Sequence, residues 1–385
     1  MEKIILILFG IVLISCNSKV KKENKTITKN IVVKSNRNIH TSHVIEMFVW
    51  PGEYPTRPMC VAAQKYFEPF KNHPAVKLSD SLLLNEIFYF DELTEILLYL
   101  EEFPSTKFQY SLKNSPYADR TEIINEWVQK LSDFYVDANV ETFLSDNQEF
   151  YNGAISEVKK NLPPENFIQL MEDYYRENKE SYTIIPAPEM PTGGEYGQRG
   201  IGPYVFSDKS MLVYQVISAS LPVKKDSLTN TYTTFGFDNK DFILRNSYHE
   251  FGHSFVNPII AKEKFQNLLK NNEYLFDSKL KEVMEKQNYY NWSDCIAEHL
   301  VRLGEIRLAE RSENKNWAEE LRKYHYEQLH FVFLPELEQQ IKIYENDPSY
   351  PTFESYLPEL LKILDKFNLE IIDERITAHN TVYKQ

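Results

Sequence analysis

The pentad HEFGH at 249–253 constrains this chain more than any other feature of its sequence. It lies in an apolar-rich run, 241–257, that predicts a helix. Positions i and i+4 of a helix lie on one face, so His249 and His253 can bind the same metal ion. Glu250 follows the first histidine and is placed to act as a general base. The pentad therefore predicts a zinc site that supports hydrolysis.

A catalytic zinc ion keeps three protein ligands and one open position, so a third ligand must come from elsewhere in the chain. The extended metzincin pattern requires a His six residues after His253, and Ile259 stands there instead. The segment 291–302, NWSDCIAEHLVR, predicts a second helix. Glu298 on this helix is our predicted third ligand.

Neighbours of Glu298 on the predicted helix could orient its carboxylate. Asp294 lies four residues before it and Arg302 four residues after it, so the three share one face. His299 and Asp294 remain open as alternative ligands.

The first sixteen residues read as an export signal. Their apolar run is about half the length of the roughly 20 residues that span a bilayer. The segment LISC at 13–16 resembles the bacterial lipobox, which implies that Cys16 is acylated and anchors the chain to a membrane. Asn17 rather than Asp favours the outer membrane of the bacterial cell envelope. The polar segment 17–37 is expected to be a flexible tether.

Charge and motifs exclude two classes of partner. Lys and Arg number 43 against 56 Asp and Glu, a net charge of −13, which argues against binding nucleic acid. The glycine-rich segment 191–204 matches no phosphate-binding or dinucleotide-binding pattern, so no nucleotide partner is expected. This segment is either a mobile loop or a strand edge that a substrate backbone approaches. Whether Cys60 and Cys295 form a disulfide stays open.

The rest of the chain divides by pattern. A mostly helical part, 38–180, precedes a catalytic part, 181–385, although 38–385 could be one domain. Apolar and β-branched runs predict strands at 44–49, 182–185 and 211–218. Helical spacing of apolar residues predicts helices at 82–102, 120–144, 165–178, 319–344 and 357–372, and Pro258 is expected to end the helix that carries the pentad.

Several His and Tyr residues remain as secondary candidates. His40 and His43 have a spacing that could hold metal, but we interpret them as surface histidines and leave them outside the site. The sequence does not choose the residue that would stabilise an oxyanion; the candidates are Tyr196, Tyr204, Tyr324, His325 and His330.

The pentad followed by a Glu on a later helix resembles the gluzincin zinc metallopeptidases. HEFGHSFVNP at 249–258, together with AEHLVR at 297–302, also resembles a family of exported bacterial proteins whose shared domain has no assigned function, over most of the chain after the tether. The resemblance implies an α+β, zincin-like fold, predominantly helical, with a small sheet beside the HExxH helix. It further implies one Zn²⁺ per chain held by His249, His253 and Glu298, with Glu250 as catalytic base.

By this resemblance the chain is expected to be a membrane-anchored zinc metallopeptidase that hydrolyses a peptide or protein substrate with a zinc-activated water. It departs from the commonest gluzincin pattern, E-x-x-x-D, because Arg302 stands four residues after Glu298. Two alternatives remain open. One is a surface binding lipoprotein that keeps the zincin fold without turnover, and the other is a zinc hydrolase of a non-peptide amide.

Overall fold

A computed structural model describes residues 29–50, 57–192 and 197–382. The signal peptide, Cys16, most of the predicted tether and Tyr196 lie outside these ranges. No helix in the described ranges is long and apolar enough to cross a membrane.

A small mixed sheet forms the centre of the fold. Its strands are β1 (Ile31–Val33), β2 (Ser181–Pro186), β3 (Gly200–Ile201), β4 (Tyr204–Phe206) and β5 (Met211–Ile217). The strand order is β1-β2-β5-β3, and β4 also pairs with β5. The strands β1, β2 and β5 run parallel, whereas β3 and β4 run antiparallel to β5. A separate hairpin joins β6 (Lys224–Lys225) to β7 (Tyr232–Thr234).

Helices make up most of the remaining chain. Before β2 they are α1 (Arg37–Val49), α2 (Pro58–Phe67), α3 (Pro74–Leu84), α4 (Phe90–Leu98), α5 (Thr121–Asp137), α6 (Val140–Asp146), α7 (Gln148–Lys160) and α8 (Phe167–Tyr175). After β7 they are α9 (Lys240–Ile260), α10 (Glu263–Lys270), α11 (Lys279–Glu285), α12 (Trp292–Arg311), α13 (Lys315–Arg322), α14 (Leu334–Asn346), α15 (Phe353–Leu361) and α16 (Leu369–Val382). The predicted α+β class, mostly helical with a small sheet, is confirmed.

Helices pack against both faces of the sheet, and α8, although it precedes β2, packs on the same face as α9 and α12. Ile185 and Tyr214 join the apolar core built by the N-terminal helices. Ile184 and Val213, their neighbours along β2 and β5, join the core that contains α9 and α12. Successive residues of a strand point to opposite faces, so one sheet supplies a wall of both cores. The parts 38–180 and 181–385 therefore share this sheet.

Two sequence predictions near the N-terminus are corrected. The predicted strand at 44–49 is the second half of α1, which begins where the Asn36 side chain accepts a hydrogen bond from the Ile39 amide. Helix α1 is buried nearly all round, so it lacks the polar face that would reveal its period. The predicted tether, 17–37, includes β1, which pairs with β2 and belongs to the sheet.

The strands at 182–185 and 211–218 are confirmed as β2 and β5. The predicted helix at 82–102 is interrupted between α3 and α4, and that at 357–372 between α15 and α16. Pro258 lies inside α9 and does not end it. Cys60 and Cys295 are buried, free thiols.

Candidate metal centre

Two long helices, α9 and α12, cross closely and carry the predicted ligands. Each begins at an asparagine, Asn239 or Asn291, whose side chain accepts a hydrogen bond from the first turn. At their contact, a Cβ built on Gly252 would lie 3.3 Å from Val301 Cγ1. Glycine in the pentad therefore allows a close approach of the two helices, and this brings Glu298 to the histidine face of α9.

The side chains of His249, His253 and Glu298 converge. Their imidazole Nε2 atoms lie 3.3 Å apart. The His253 Nε2 atom is 3.3 Å from Glu298 Oε1, and the His249 Nε2 atom is 3.8 Å from Glu298 Oε2. All three groups offer ligand atoms within 4.8 Å of one another.

The dimensions of this cluster suit zinc. With bonds of about 2.0–2.1 Å, a tetrahedral site has edges of about 3.3–3.4 Å, close to the separations above. Glu298 Oε2 is buried without a hydrogen-bond partner among the residues that the structure describes. The Arg302 guanidinium places a positive charge 3.6 Å from this oxygen, beyond hydrogen-bond distance, so the oxygen has charge compensation but no directly bonded partner among these residues. A metal ion at this position would satisfy all three side chains.

The other ring nitrogen of each histidine is fixed by an acceptor. His249 Nδ1 donates to Glu305 Oε1 at 2.8 Å, because a carboxylate can only accept. His253 Nδ1 donates to Asn257 Oδ1 at 3.3 Å. Each imidazole therefore presents the lone pair of its Nε2 atom to the centre of the cluster, as a metal ligand must.

Glu305 is the residue that sequence reasoning missed. It lies two turns after Glu298 on α12 and is almost fully buried. Its second oxygen, Oε2, accepts from His325 Nε2 at 3.0 Å, and Arg302 Nη1 donates to Oε1 at 2.9 Å. His325 lies in a π-helical turn, 323–328, a distortion often found at functional sites.

Burial and charge set the protonation of these groups. Burial, aided by the Arg302 charge, lowers the pKa of His249 to about 4, so this imidazole is neutral near pH 7. Burial acts to raise the pKa of Glu298, but His253, His249 and Arg302 together hold it below its usual value. Near pH 7 the His249 imidazole is therefore neutral and the Glu298 carboxylate is ionised, and these are the forms that bind zinc.

Replacing Glu305 by Gln is expected to weaken zinc binding by about 10–100-fold, because an amide orients His249 less firmly and removes the negative charge that pairs with Arg302 Nη1. Competition with a zinc indicator measures the change. Glu310→Gln is the matched control, since Glu310 lies on the same helix but bonds Arg307 and Arg322. Equal affinity in Glu305→Gln and the wild type would contradict this role.

The predicted base, Glu250, lies in the same buried region. Burial raises its pKa well above the usual value, and the charges of Asp91 and Glu298 add to the shift. Arg302 acts in the opposite direction. Asp91, at the start of α4, forms an ion pair with Arg199 at 3.3 Å, so the N-terminal helices contribute to the surroundings of the base.

The predicted neighbours of Glu298 separate into two cases. Arg302 Nη2 lies 3.6 Å from Glu298 Oε2, within ion-pair distance, and its role in orienting the carboxylate stays a prediction. The Asp294 carboxylate instead accepts from the Asn291 side chain at 2.6 Å. His299, an alternative ligand, donates from Nδ1 to the Cys295 carbonyl oxygen at 2.7 Å and packs on Phe331 in the core.

Two of the oxyanion candidates, His325 and Tyr204, are engaged elsewhere, and Tyr196 lies outside the described residues. His325 bonds Glu305 behind His249, and Tyr204 is buried in the core.

Tyr289, which we did not single out from the sequence, lies beside Glu298. Burial, then the Glu298 charge, raises the pKa of its hydroxyl group, which also interacts with Arg302. It lies in the segment before α12, where no periodic pattern marks it.

The described part of the glycine-rich segment packs directly on α9. A Cβ built on Gly202 would lie 2.2 Å from the Glu250 carbonyl oxygen. One built on Gly200 would lie 2.0 Å from the Asn246 side chain. These glycines therefore let the edge formed by β3 and β4 approach the HExxH helix at the predicted base.

No curated protein and no solved structure matches the chain. One family does match: residues 42–363 fit the family described as "Domain of unknown function (DUF4932)". This match covers both α9 and α12 and most of the chain, and the protein therefore belongs to the DUF4932 family.

Proposed function

We propose that this protein is a zinc metallopeptidase of the gluzincin type, with a zincin-like fold and one Zn²⁺ per chain. The observation that carries the proposal is the convergence of His249, His253 and Glu298 at the spacing of a tetrahedral site. Glu250 lies on the same helix, next to the first ligand. Two histidines, a carboxylate ligand and an adjacent carboxylic acid are the groups that this hydrolysis needs.

When bound, zinc would polarise a peptide carbonyl and lower the pKa of water toward about 7. Glu250 takes a proton from the attacking water and passes it to the amide nitrogen as the C–N bond breaks. Its raised pKa suits the second step, because the group must hold the proton before it passes it on. The charge of a zinc ion bound beside it would lower this pKa and favour the ionised form that the first step needs. Glu305 and Asn257 keep the two imidazoles in the orientation and tautomer required.

The exposure of the cluster favours turnover over binding alone. The side chains of His249 and His253 are 13% and 14% exposed, so the open side of the site reaches solvent. A non-catalytic binding lipoprotein would show either a site occluded by a neighbouring segment or a wild type that holds zinc and cleaves nothing. The exposure of the two imidazoles speaks against the first of these among the described residues.

The proposed location is the bacterial cell envelope, with the lipid on Cys16 holding the protein to a membrane, in the outer membrane on the basis of Asn17. The lipobox resemblance at 13–16 supports this part of the proposal. The substrate is a peptide or protein, and neither nucleic acid nor nucleotide is a proposed partner.

Removing the metal from the full-length protein is expected to abolish cleavage of an unfolded protein substrate. Adding one equivalent of zinc should restore it, because the three side chains remain in place to bind the ion. Mass spectrometry of the cleaved peptides measures both steps. Cleavage that survives chelation would contradict a zinc enzyme, and zinc-dependent cleavage of cell-wall amides without any cleavage of peptides would favour the non-peptide amide alternative.

A further inference from the structure

A second cluster of polar side chains lies at the carboxyl ends of β1 and β2, separate from the metal ligands. Ser35 follows β1, His40 lies on α1, and Glu189 follows β2. Because β1 and β2 are parallel, their carboxyl ends meet at one edge of the sheet, where α/β folds commonly place their ligand sites. The topology thus brings together three residues that are far apart in sequence.

The three side chains form a continuous hydrogen-bonded row. Ser35 Oγ is 2.7 Å from His40 Nε2, and His40 Nδ1 is 3.0 Å from Glu189 Oε2. His40 is 1% exposed and Glu189 is fully buried, whereas Ser35 is half-buried. Since a carboxylate only accepts, His40 Nδ1 carries the proton and Nε2 presents its lone pair to the Ser35 hydroxyl.

Glu189 is itself held in place. The Tyr151 hydroxyl donates to its other oxygen, Oε1. His40 also packs on the Tyr151 ring, with centroids 4.6 Å apart. Both oxygens of the carboxylate are therefore used, and the imidazole is held from the side opposite Ser35. This corrects the interpretation of His40 as a surface residue.

We propose that Ser35, His40 and Glu189 form a second hydrolytic centre, in which Ser35 is the nucleophile toward carboxylic esters. A hydroxyl bonded to an imidazole that a carboxylate orients is the arrangement that activates serine in hydrolases on unrelated folds. Fixing α1 to β2 would need only the His40 to Glu189 contact. A structural contact would also satisfy the other ring nitrogen, but it would not need the bonded hydroxyl to be exposed; the Ser35 hydroxyl is only half-buried and so can be approached by an ester.

The reaction balances with water as the second substrate. Ser35 Oγ bonds to the ester carbonyl carbon, and its proton passes to His40 Nε2. The bond to the alcohol oxygen breaks, and the alcohol leaves with that proton. Water then attacks the acyl-serine and gives a proton to His40. The bond from the acyl carbon to Ser35 Oγ breaks, the His40 proton passes to Ser35 Oγ, and the acid is released. No oxidant or reductant takes part.

The start of α1 can assist the developing oxyanion. Ser35 lies two residues before the first residue of this helix, Arg37. The amide groups of Arg37 and Asn38 have no acceptor within the helix, since a helix leaves its first N–H groups unpaired. The next amide, that of Ile39, is already bound by the Asn36 side chain. N–H groups at the start of a helix stabilise a negative charge placed beside them, as an oxyanion would be.

The test uses the full-length protein and an alkyl fluorophosphonate, which reacts with activated serines. Ser35 Oγ would bond to phosphorus, its proton would pass to His40, and fluoride would leave. We expect labelling at Ser35, located by peptide mass spectrometry, and hydrolysis of p-nitrophenyl acetate. Both should persist with a metal chelator, which separates this centre from the proposed metallopeptidase.

Matched variants complete the test. Ser35→Ala should lose the label, and Ser207→Ala should keep it, because the equally half-buried Ser207 hydroxyl donates to the Glu180 carboxylate instead of to an imidazole. His40→Gln should slow labelling by about 100-fold or more. If that variant does not fold, Glu189→Gln should show similar slowing. No label at Ser35 in the wild type, or equal rates in a folded His40 or Glu189 variant, would overturn the proposal.

Discussion

Replacing Glu250 by Gln is expected to lower kcat for peptide hydrolysis by about 10²–10⁴-fold, the contribution typical of general acid–base catalysis. Zinc content should not change, because His249, His253 and Glu298 remain. Glutamine is close in size to glutamate but cannot take a proton from water. Activity assays and elemental analysis of the same preparation measure the two effects.

The metal-free variant should also be at least as stable as the metal-free wild type near pH 7. Burial raises the pKa of Glu250 in the folded state, so the folded chain holds a proton that the unfolded chain has released. For such a group, stability is present below its unfolded pKa and falls as pH rises toward the folded pKa. An amide does not titrate, so Glu250→Gln should remove this loss of stability at rising pH. Thermal unfolding of the two metal-free proteins over a range of pH measures the difference in stability.

Asp241→Asn is the matched control, since it makes the same change of acid to amide at an exposed position on the same helix. It should keep wild-type activity. Full peptidase activity in Glu250→Gln would remove this residue as the base, and loss of zinc together with activity would show that its role is to build the site.

Replacing Glu298 by Ala is expected to weaken zinc binding by roughly 100–1000-fold. Structural zinc sites with four ligands bind with about 10–16 kcal/mol, so one ligand contributes about 2.5–4 kcal/mol. Alanine also removes the buried oxygen that now lacks a partner among the described residues. Competition against a chelator of known affinity measures the loss, and circular dichroism checks that α12 is intact.

Asp294→Asn tests the choice of ligand directly, because Asp294 was the alternative carboxylate on this helix. Its carboxylate is bonded to Asn291, so zinc affinity should change little. The opposite pattern, strong loss in Asp294→Asn and wild-type affinity in Glu298→Ala, would move the third ligand to Asp294.

The sequence was enough to predict the three ligands of the candidate site, but not all of the residues that surround those ligands. His249 and His253 followed from helical spacing alone, and Glu298 required one further helix pattern. Glu305 follows Glu298 by seven residues, and Arg302 follows it by four, so the three share one helix face. That spacing could have revealed Glu305. No sequence pattern pointed to Tyr289, because only the tertiary fold brings the segment before α12 close to the Glu298 carboxylate.

Errors in the fold came from local patterns that tertiary packing overrides. The apolar, β-branched run at 44–49 favours a strand, but Asn36 caps a helix and both sides of α1 are covered. Burial on all sides hides helical periodicity, and it also concealed that His40 and His43 are interior residues. The strand β1 is only three residues long and lies next to a polar segment, so it gave no alternating pattern.

The central claim is that two helices of this chain hold one zinc ion. Its most direct test is a crystal structure of the zinc-loaded protein with anomalous diffraction measured at the zinc edge. We expect one strong peak about 2 Å from His249 Nε2, His253 Nε2 and a Glu298 carboxylate oxygen. A fully loaded crystal with no peak at that position, or with its zinc bound elsewhere, would contradict it.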